Sequence, residues 1–121
     1  MANPGMLIKS YRAAGAVGGR RIVKFAGAGT IAPAAAATDL MVGVSDMLDA
    51  ADGALADVIM TGSAEIVLGG AVTRGAPVTA DAAGAGVTAA SGAGNIAIGY
   101  ALMSGVAGDI IDVALSRHSV T

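Results

Sequence analysis

Residues 15–23 read GAVGGRRIV and residues 70–78 read GAVTRGAPV. Gly15-Ala16-Val17 and the apolar pair Ile22-Val23 return 55 positions later as Gly70-Ala71-Val72 and Pro77-Val78. Three further matches follow in the same order. Gly27-Ala28-Gly29 aligns with Gly84-Ala85-Gly86 at an offset of 57, Val42-Gly43-Val44 with Ile98-Gly99-Tyr100 at 56, and Asp57-Val58-Ile59 with Asp109-Ile110-Ile111 at 52. An ordered series with small length changes is the mark of an internal duplication. It predicts two similar β units of about 55 residues, spanning 15–69 and 70–121 and paired about a pseudo-twofold axis into a single β domain. Residues 1–14 precede the repeat and are expected as an N-terminal arm or a first strand.

The runs between the glycines are short and rich in β-branched residues, as in Arg21-Ile22-Val23-Lys24-Phe25 and Ile110-Ile111-Asp112-Val113-Ala114-Leu115. Such runs are strands rather than helices. Strands are expected near 6–12, 21–25, 40–45, 55–60, 63–68, 76–80, 95–102 and 109–115. Their spacing favours an all-β fold, a small barrel or sandwich. Gly43 and Gly99 sit at equivalent places and mark bulges or close backbone approaches. The alanine-rich stretch Met47 to Ala56 is expected to make one or two helical turns before Asp52-Gly53.

Composition limits what such a domain can do. Of 121 residues, 55% are apolar but only 2% aromatic, namely Tyr11, Phe25 and Tyr100. Alanine supplies much of the apolar mass, and alanine buries little area. A thin core with surplus apolar surface points to coverage by other subunits. Net charge is −2, unevenly spread. Residues 1–24 hold Lys9, Arg12, Arg20, Arg21 and Lys24 and no acid, and all nine acids follow. A basic leading part and an acidic body suit contact between complementary subunits. The start lacks a secretory pattern, and the uncharged stretch 82–108 carries seven glycines and few bulky side chains, which argues against a membrane span.

Chemistry-bearing residues are few. With no cysteine, disulfides and thiolate zinc sites are absent. The single histidine, His118, is expected on an exposed tail. Asp46, Asp49 and Asp52 before Gly53 are spaced every third residue, unlike the alternate acids of a calcium loop, so a solvated acidic turn is expected. Neither glycine run ends in Gly-Lys-Ser/Thr, so both are hairpin turns and no phosphate loop. Arg20, Arg21 and Lys24 with one neighbouring aromatic, Phe25, make no stacking platform for nucleic acid. Met41, Met47, Met60 and Met103 lie in apolar runs and are expected to fill the core. No enzyme, cofactor or metal site is predicted. Met6-Leu7-Ile8, with Lys9, Tyr11 and Arg12, is the candidate contact segment: an apolar triplet that adds to a neighbour's sheet edge, or else the first strand of its own barrel.

The order of Gly15-Ala16-Val17, Val42-Gly43-Val44-Ser45-Asp46, Ala56-Asp57-Val58, Gly62 to Gly70, Arg74 to Asp81, Ile98-Gly99-Tyr100-Ala101-Leu102 and Ala107 to Ile111 resembles the small capsid decoration, or cement, proteins of tailed phages. The resemblance covers nearly the whole chain after residue 12. It implies a compact β fold, trimeric clusters on the outer capsid surface and no catalysis; the chain is then expected to assemble in the host cytoplasm and, as a homotrimer, to bridge major capsid protein subunits. It offers no motif to transfer onto single residues. Two rival readings are a soluble surface- or carbohydrate-binding β module, which would need more aromatics, and a β domain that accompanies an enzyme.

Overall fold

The computed structural model describes residues 7–120, and these contain no helix. Nine strands follow one another: β1 (Leu7–Ala13), β2 (Ile22–Gly27), β3 (Thr30–Pro33), β4 (Met41–Ser45), β5 (Leu55–Val67), β6 (Pro77–Ala80), β7 (Gly86–Thr88), β8 (Ile96–Ala101) and β9 (Ile110–Ser119). They hydrogen-bond in the order β1-β3-β2-β4-β5-β9-β8-β6-β7, and β1 also pairs with β5. The five strands β1 to β5 therefore close into a small barrel, and the all-β expectation holds.

Strand β5 belongs to both halves. Its first stretch lies antiparallel to β1 and β4. Its second, from Gly62, lies antiparallel to β9. The two runs expected at 55–60 and 63–68 are thus one strand of 13 residues. The changeover falls at Gly62, whose φ of 92° suits a residue without a Cβ. Two short strands, β3 and β7, escaped the sequence reading. Each is the return arm of a tight hairpin and too brief to show a period. Met47 to Ala56 makes bends, a bridge, a turn and the start of β5 rather than helix, because Ala50 pairs with Val17 across the loop.

The backbone pairing itself recurs. Val17 bridges Ala50 and, 55 residues on, Val72 bridges Gly105. Ala13 N–H donates to Ala54 O and Gly53 N–H to Ala13 O; Leu68 N–H donates to Asp109 O and Gly108 N–H to Leu68 O. β1 runs parallel to β3 at Ala13–Ile31, and Leu68 bridges Gly86 in parallel. These bonds correct two of the sequence matches. Gly84 corresponds to Gly29, both with positive φ, rather than to Gly27. Asp57 corresponds to Asp112, since Asp46 N–H donates to Asp57 O and Leu102 N–H to Asp112 O. Short Gly/Ala and Asp-Ile strings match at several offsets, and only the hydrogen bonds choose among them.

Alternation along the strands explains how the halves are joined. Val23, Val42 and Val58 fill the first barrel together with Ala13, Val17, Ile31, Ala50 and Ala56. Their chain neighbours Ile22, Met41 and Ile59 point into a second cluster that also holds Val44, turned there past the register shift at Val42, with Ile66, Val78, Ile98, Ile111 and Val113. Both faces of β4 are covered, and all five of its residues are buried. Each fully buried Ile or Val contributes roughly 1.5–3 kcal/mol. Backbone bonds stitch the same seam: Ile22 N–H donates to Gly84 O, Val67 N–H to Arg20 O and Ile96 N–H to Ala37 O. Met41 is core, as expected, but Met47 and Met103 are exposed.

Gly43 and Gly99 meet the expectation of close approach. A Cβ at Gly43 would strike the carbonyl of Ile59, and one at Gly99 the carbonyl of Ala114. Register shifts lie beside both. Gly75 has φ 87° but open space around it, and Arg20, 55 residues earlier, takes the same left-handed backbone at φ 58°. Asp39 accepts N–H bonds from Ala35 and Ala36 and pairs with Lys24 at 3.4 Å. The Ala35 bond first, then the Lys24 ammonium, holds its carboxyl below the ordinary value against the opposing effect of partial burial.

Two outcomes follow. In urea denaturation Gly99→Ala should cost about 3 kcal/mol, because backbone must move, and Gly75→Ala only about 1 kcal/mol, from its φ alone. Asp39 has a depressed folded pKa, so its stabilisation is full above the unfolded value and is lost as pH falls through the folded one. Asp39→Asn should therefore be less stable than wild type at pH 7, with the gap closing below about pH 4 in acid titrations of thermal unfolding.

Candidate interaction surface

The contact segment proposed from sequence lies on β1, except for Met6, which falls outside the described residues. β1 pairs with β5 from Leu7 to Arg12, but with β3 only at Arg12 and Ala13. Among the described residues, the other edge from Leu7 to Tyr11 has no strand beside it. Leu7 and Ile8 are each 46% exposed although they point to opposite faces of the strand. An open edge with apolar side chains is a template for another strand. Lys9 and Arg12 are also exposed. Arg12 Nη1 donates to Gly53 O at 2.9 Å, and Ser10 Oγ donates to Asp57 Oδ1 at 2.7 Å. Tyr11 is half-buried and meets the exposed ring of Phe25 edge-on, with centroids 5.7 Å apart. The segment is thus a basic, apolar strand edge held rigidly by β5.

A groove of about 600 Å³ opens where the halves meet, floored by Met41, Ile98 and Leu115 and walled by Arg117 and His118. Arg117 Nη1 donates to Met41 O at 2.6 Å, which spends part of its guanidinium on the fold. His118 is no frayed tail. It lies within β9, pairs with Ala97 and stacks on Tyr100 with centroids 4.6 Å apart. The lining of the groove carries the hydroxyls of Thr61, Ser116 and Ser119 and no carboxylate, and His118 Nδ1 lies 2.8 Å from the Ser116 carbonyl oxygen.

The aspartates of the candidate cation loop have structural work. Asp49 Oδ1 accepts the Gly19 N–H at 2.7 Å and Asp52 Oδ1 the Gly15 N–H at 2.9 Å, so they pin loop 15–19 to loop 46–53. Asp46 Oδ1 accepts the adjacent Met47 N–H. In the second half Ser104 Oγ accepts the Arg74 N–H, the counterpart of the Asp49 bond. Among the described residues, no three His, Cys, Asp or Glu side chains gather as metal ligands. No helix among them is long and apolar enough to cross a membrane. What the sequence reading missed is the exposed apolar tips of these loops, Met47 and Leu48 in one and Leu102 and Met103 in the other. Apolar runs of that kind signal a core, and nothing local to them signals otherwise.

A family model described as phage cement protein matches residues 3–116. A search of curated proteins by sequence finds no match. Among solved structures, the N base of head fiber gp8.5 from bacteriophage phi29 superposes with a TM-score of 0.75. It is 21% identical, and the alignment covers 96% of this chain and 98% of that one. At that identity the likeness speaks for the fold.

The loop clamp is open to test. Asp49→Ala should lower stability by about 1 kcal/mol, while Asp49→Ser, copying the arrangement at Ser104, should keep most of it. Millimolar calcium should leave the thermal midpoint of the wild type unchanged.

Proposed function

The chain belongs to the phage cement protein family, and on that premise we propose that it binds the outer surface of the phage head as a small ring, a homotrimer, and bridges major capsid protein subunits. It works as a structural clamp without catalysis. The observation that carries the reading is the open edge of β1, where Leu7 and Ile8 are exposed beside Lys9 and Arg12. A folded chain gains nothing by leaving such an edge to water, and a neighbouring subunit that adds a strand there satisfies both its backbone and its apolar side chains. The basic residues of this segment and the acids that dominate the rest of the chain favour head-to-tail contact between copies. Three linked protomers then bind the capsid together, so modest contacts per copy suffice.

The carbohydrate-binding alternative finds no support in the aromatic rings. Tyr11 and Phe25 meet edge-on, and the face of Tyr100 is stacked on His118.

The test is the double substitution Leu7→Ser and Ile8→Ser, at side chains that contribute little to the core. By light scattering the wild type should have the mass of a trimer and the variant that of a monomer, with an unchanged β-sheet circular dichroism spectrum. In cosedimentation with capsids stripped of this protein, the variant should bind at least about ten-fold more weakly, since avidity is lost. A folded variant that remains trimeric overturns the role of the β1 edge. A wild type that does not sediment with capsids overturns the capsid reading.

A further inference from the structure

Two loops carry most of the exposed large apolar side chains outside the β1 edge. Met47, Leu48 and Leu55 frame one; Leu102, Met103, Val106 and Ile110 frame the other. Leu48 is 79% exposed and Val106 60%. Isolated exposed apolar residues are ordinary, but these are not isolated. The Val17–Ala50 and Val72–Gly105 bridges set the two loops in correspondence at 55 residues. By that count Leu48 stands where Met103 stands and Leu55 where Ile110 stands, while Met47 is the extra residue of the first loop and Leu102 stands where Asp46 does. The identities differ while the apolar character and the exposure are kept. Each loop is fixed by the same kind of bond, Gly19 N–H on Asp49 and Arg74 N–H on Ser104. The fold requires the loops, but side chains this exposed do nothing for its core.

We infer that each half presents one apolar docking tip, and that a single chain grips two like surfaces of neighbouring capsid subunits at once. This rests on the capsid reading above and names the contact within it. Number and charge choose the occupant. A doubled tip calls for a doubled partner, and a capsid supplies identical subunits side by side. The basic β1 edge occurs once per chain, so a second copy of this chain would meet only one of the two tips through it. Leu48 and Leu55 line a hollow of about 150 Å³ with Asp46, Asp49 and Asp57, and Ile110 lies between Asp109 and Asp112 in the chain. Tip-to-tip contact between two copies would oppose like charges. The surface that fits is apolar with a basic rim, such as Lys or Arg side chains whose methylene stems lie on the leucines and whose heads reach the aspartates.

The experiment uses the full chain and stripped capsids, with Leu48→Asp, Met103→Asp and the double variant. Each single variant should weaken capsid binding at least about ten-fold, because one of two linked contacts is lost. The double variant should not bind detectably. Oligomeric mass and thermal midpoint should stay at wild-type values, and Leu48→Met and Met103→Leu should bind normally. Wild-type affinity should fall with added salt. Single variants that bind as well as wild type overturn the inference while leaving the capsid reading intact. So does an effect confined to one tip, or a change of oligomeric mass with capsid binding unaltered. Failure of the wild type itself to bind overturns both.

Discussion

One strand holds the molecule together. β5 finishes the first barrel and begins the second half, with Gly62 at the changeover. Neither half can be removed without taking a strand from the other. The seam is then sealed from both sides: Ile22, Met41, Val44 and Ile59 turn their side chains out of the first barrel into the cluster shared with the second. A sheet made of Ala, Val and Ile can bury its second face only against another such sheet. That requirement, more than any single contact, accounts for β4 being buried along its whole length.

The same thin chemistry explains the surface. With only three Phe or Tyr residues and no Trp in the chain, the interior is filled mainly by small and branched side chains. Bulky apolar residues are therefore not all required inside, and Leu7, Ile8, Phe25, Leu48, Leu102 and Val106 stand in solvent. Several polar groups bond to the backbone. Asp39, Asp49, Asp52, Asp81 and Ser104 each accept N–H bonds from loops, and Arg117 donates to a carbonyl. Polar side chains thus hold loops while several large apolar side chains face out. This fits the structural role of the phage cement family.

The halves are alike in backbone and unlike in side chains. Gly19 hangs on an aspartate and Arg74 on a serine; Gly75 takes a left-handed turn freely and Arg20 takes it against a steric cost. Arg20 O accepts the Val67 N–H across the seam, so the arginine occupies a conformation that the other half helps to hold. Equivalent positions have thus drifted wherever the backbone could be satisfied in more than one way.

What the sequence by itself determined is local. β-branched runs broken by glycine made the chain all-β, the placement of Gly43 and Gly99 flagged two close backbone approaches, and the ordered Gly-Ala-Val matches raised the expectation of a repeat. Met6 to Arg12 could be proposed as a contact segment because an apolar triplet, Met6-Leu7-Ile8, beside two cations is visible in the string alone. Tertiary structure alone decided the rest. It fused two expected strands into β5, added β3 and β7, moved the Gly29 and Asp57 equivalences, drew His118 into β9 and put Met47, Leu48, Leu102 and Met103 outside. The reason is physical: a side chain's period and a glycine's freedom are properties of neighbouring residues, whereas register and burial depend on which distant strand donates the hydrogen bond.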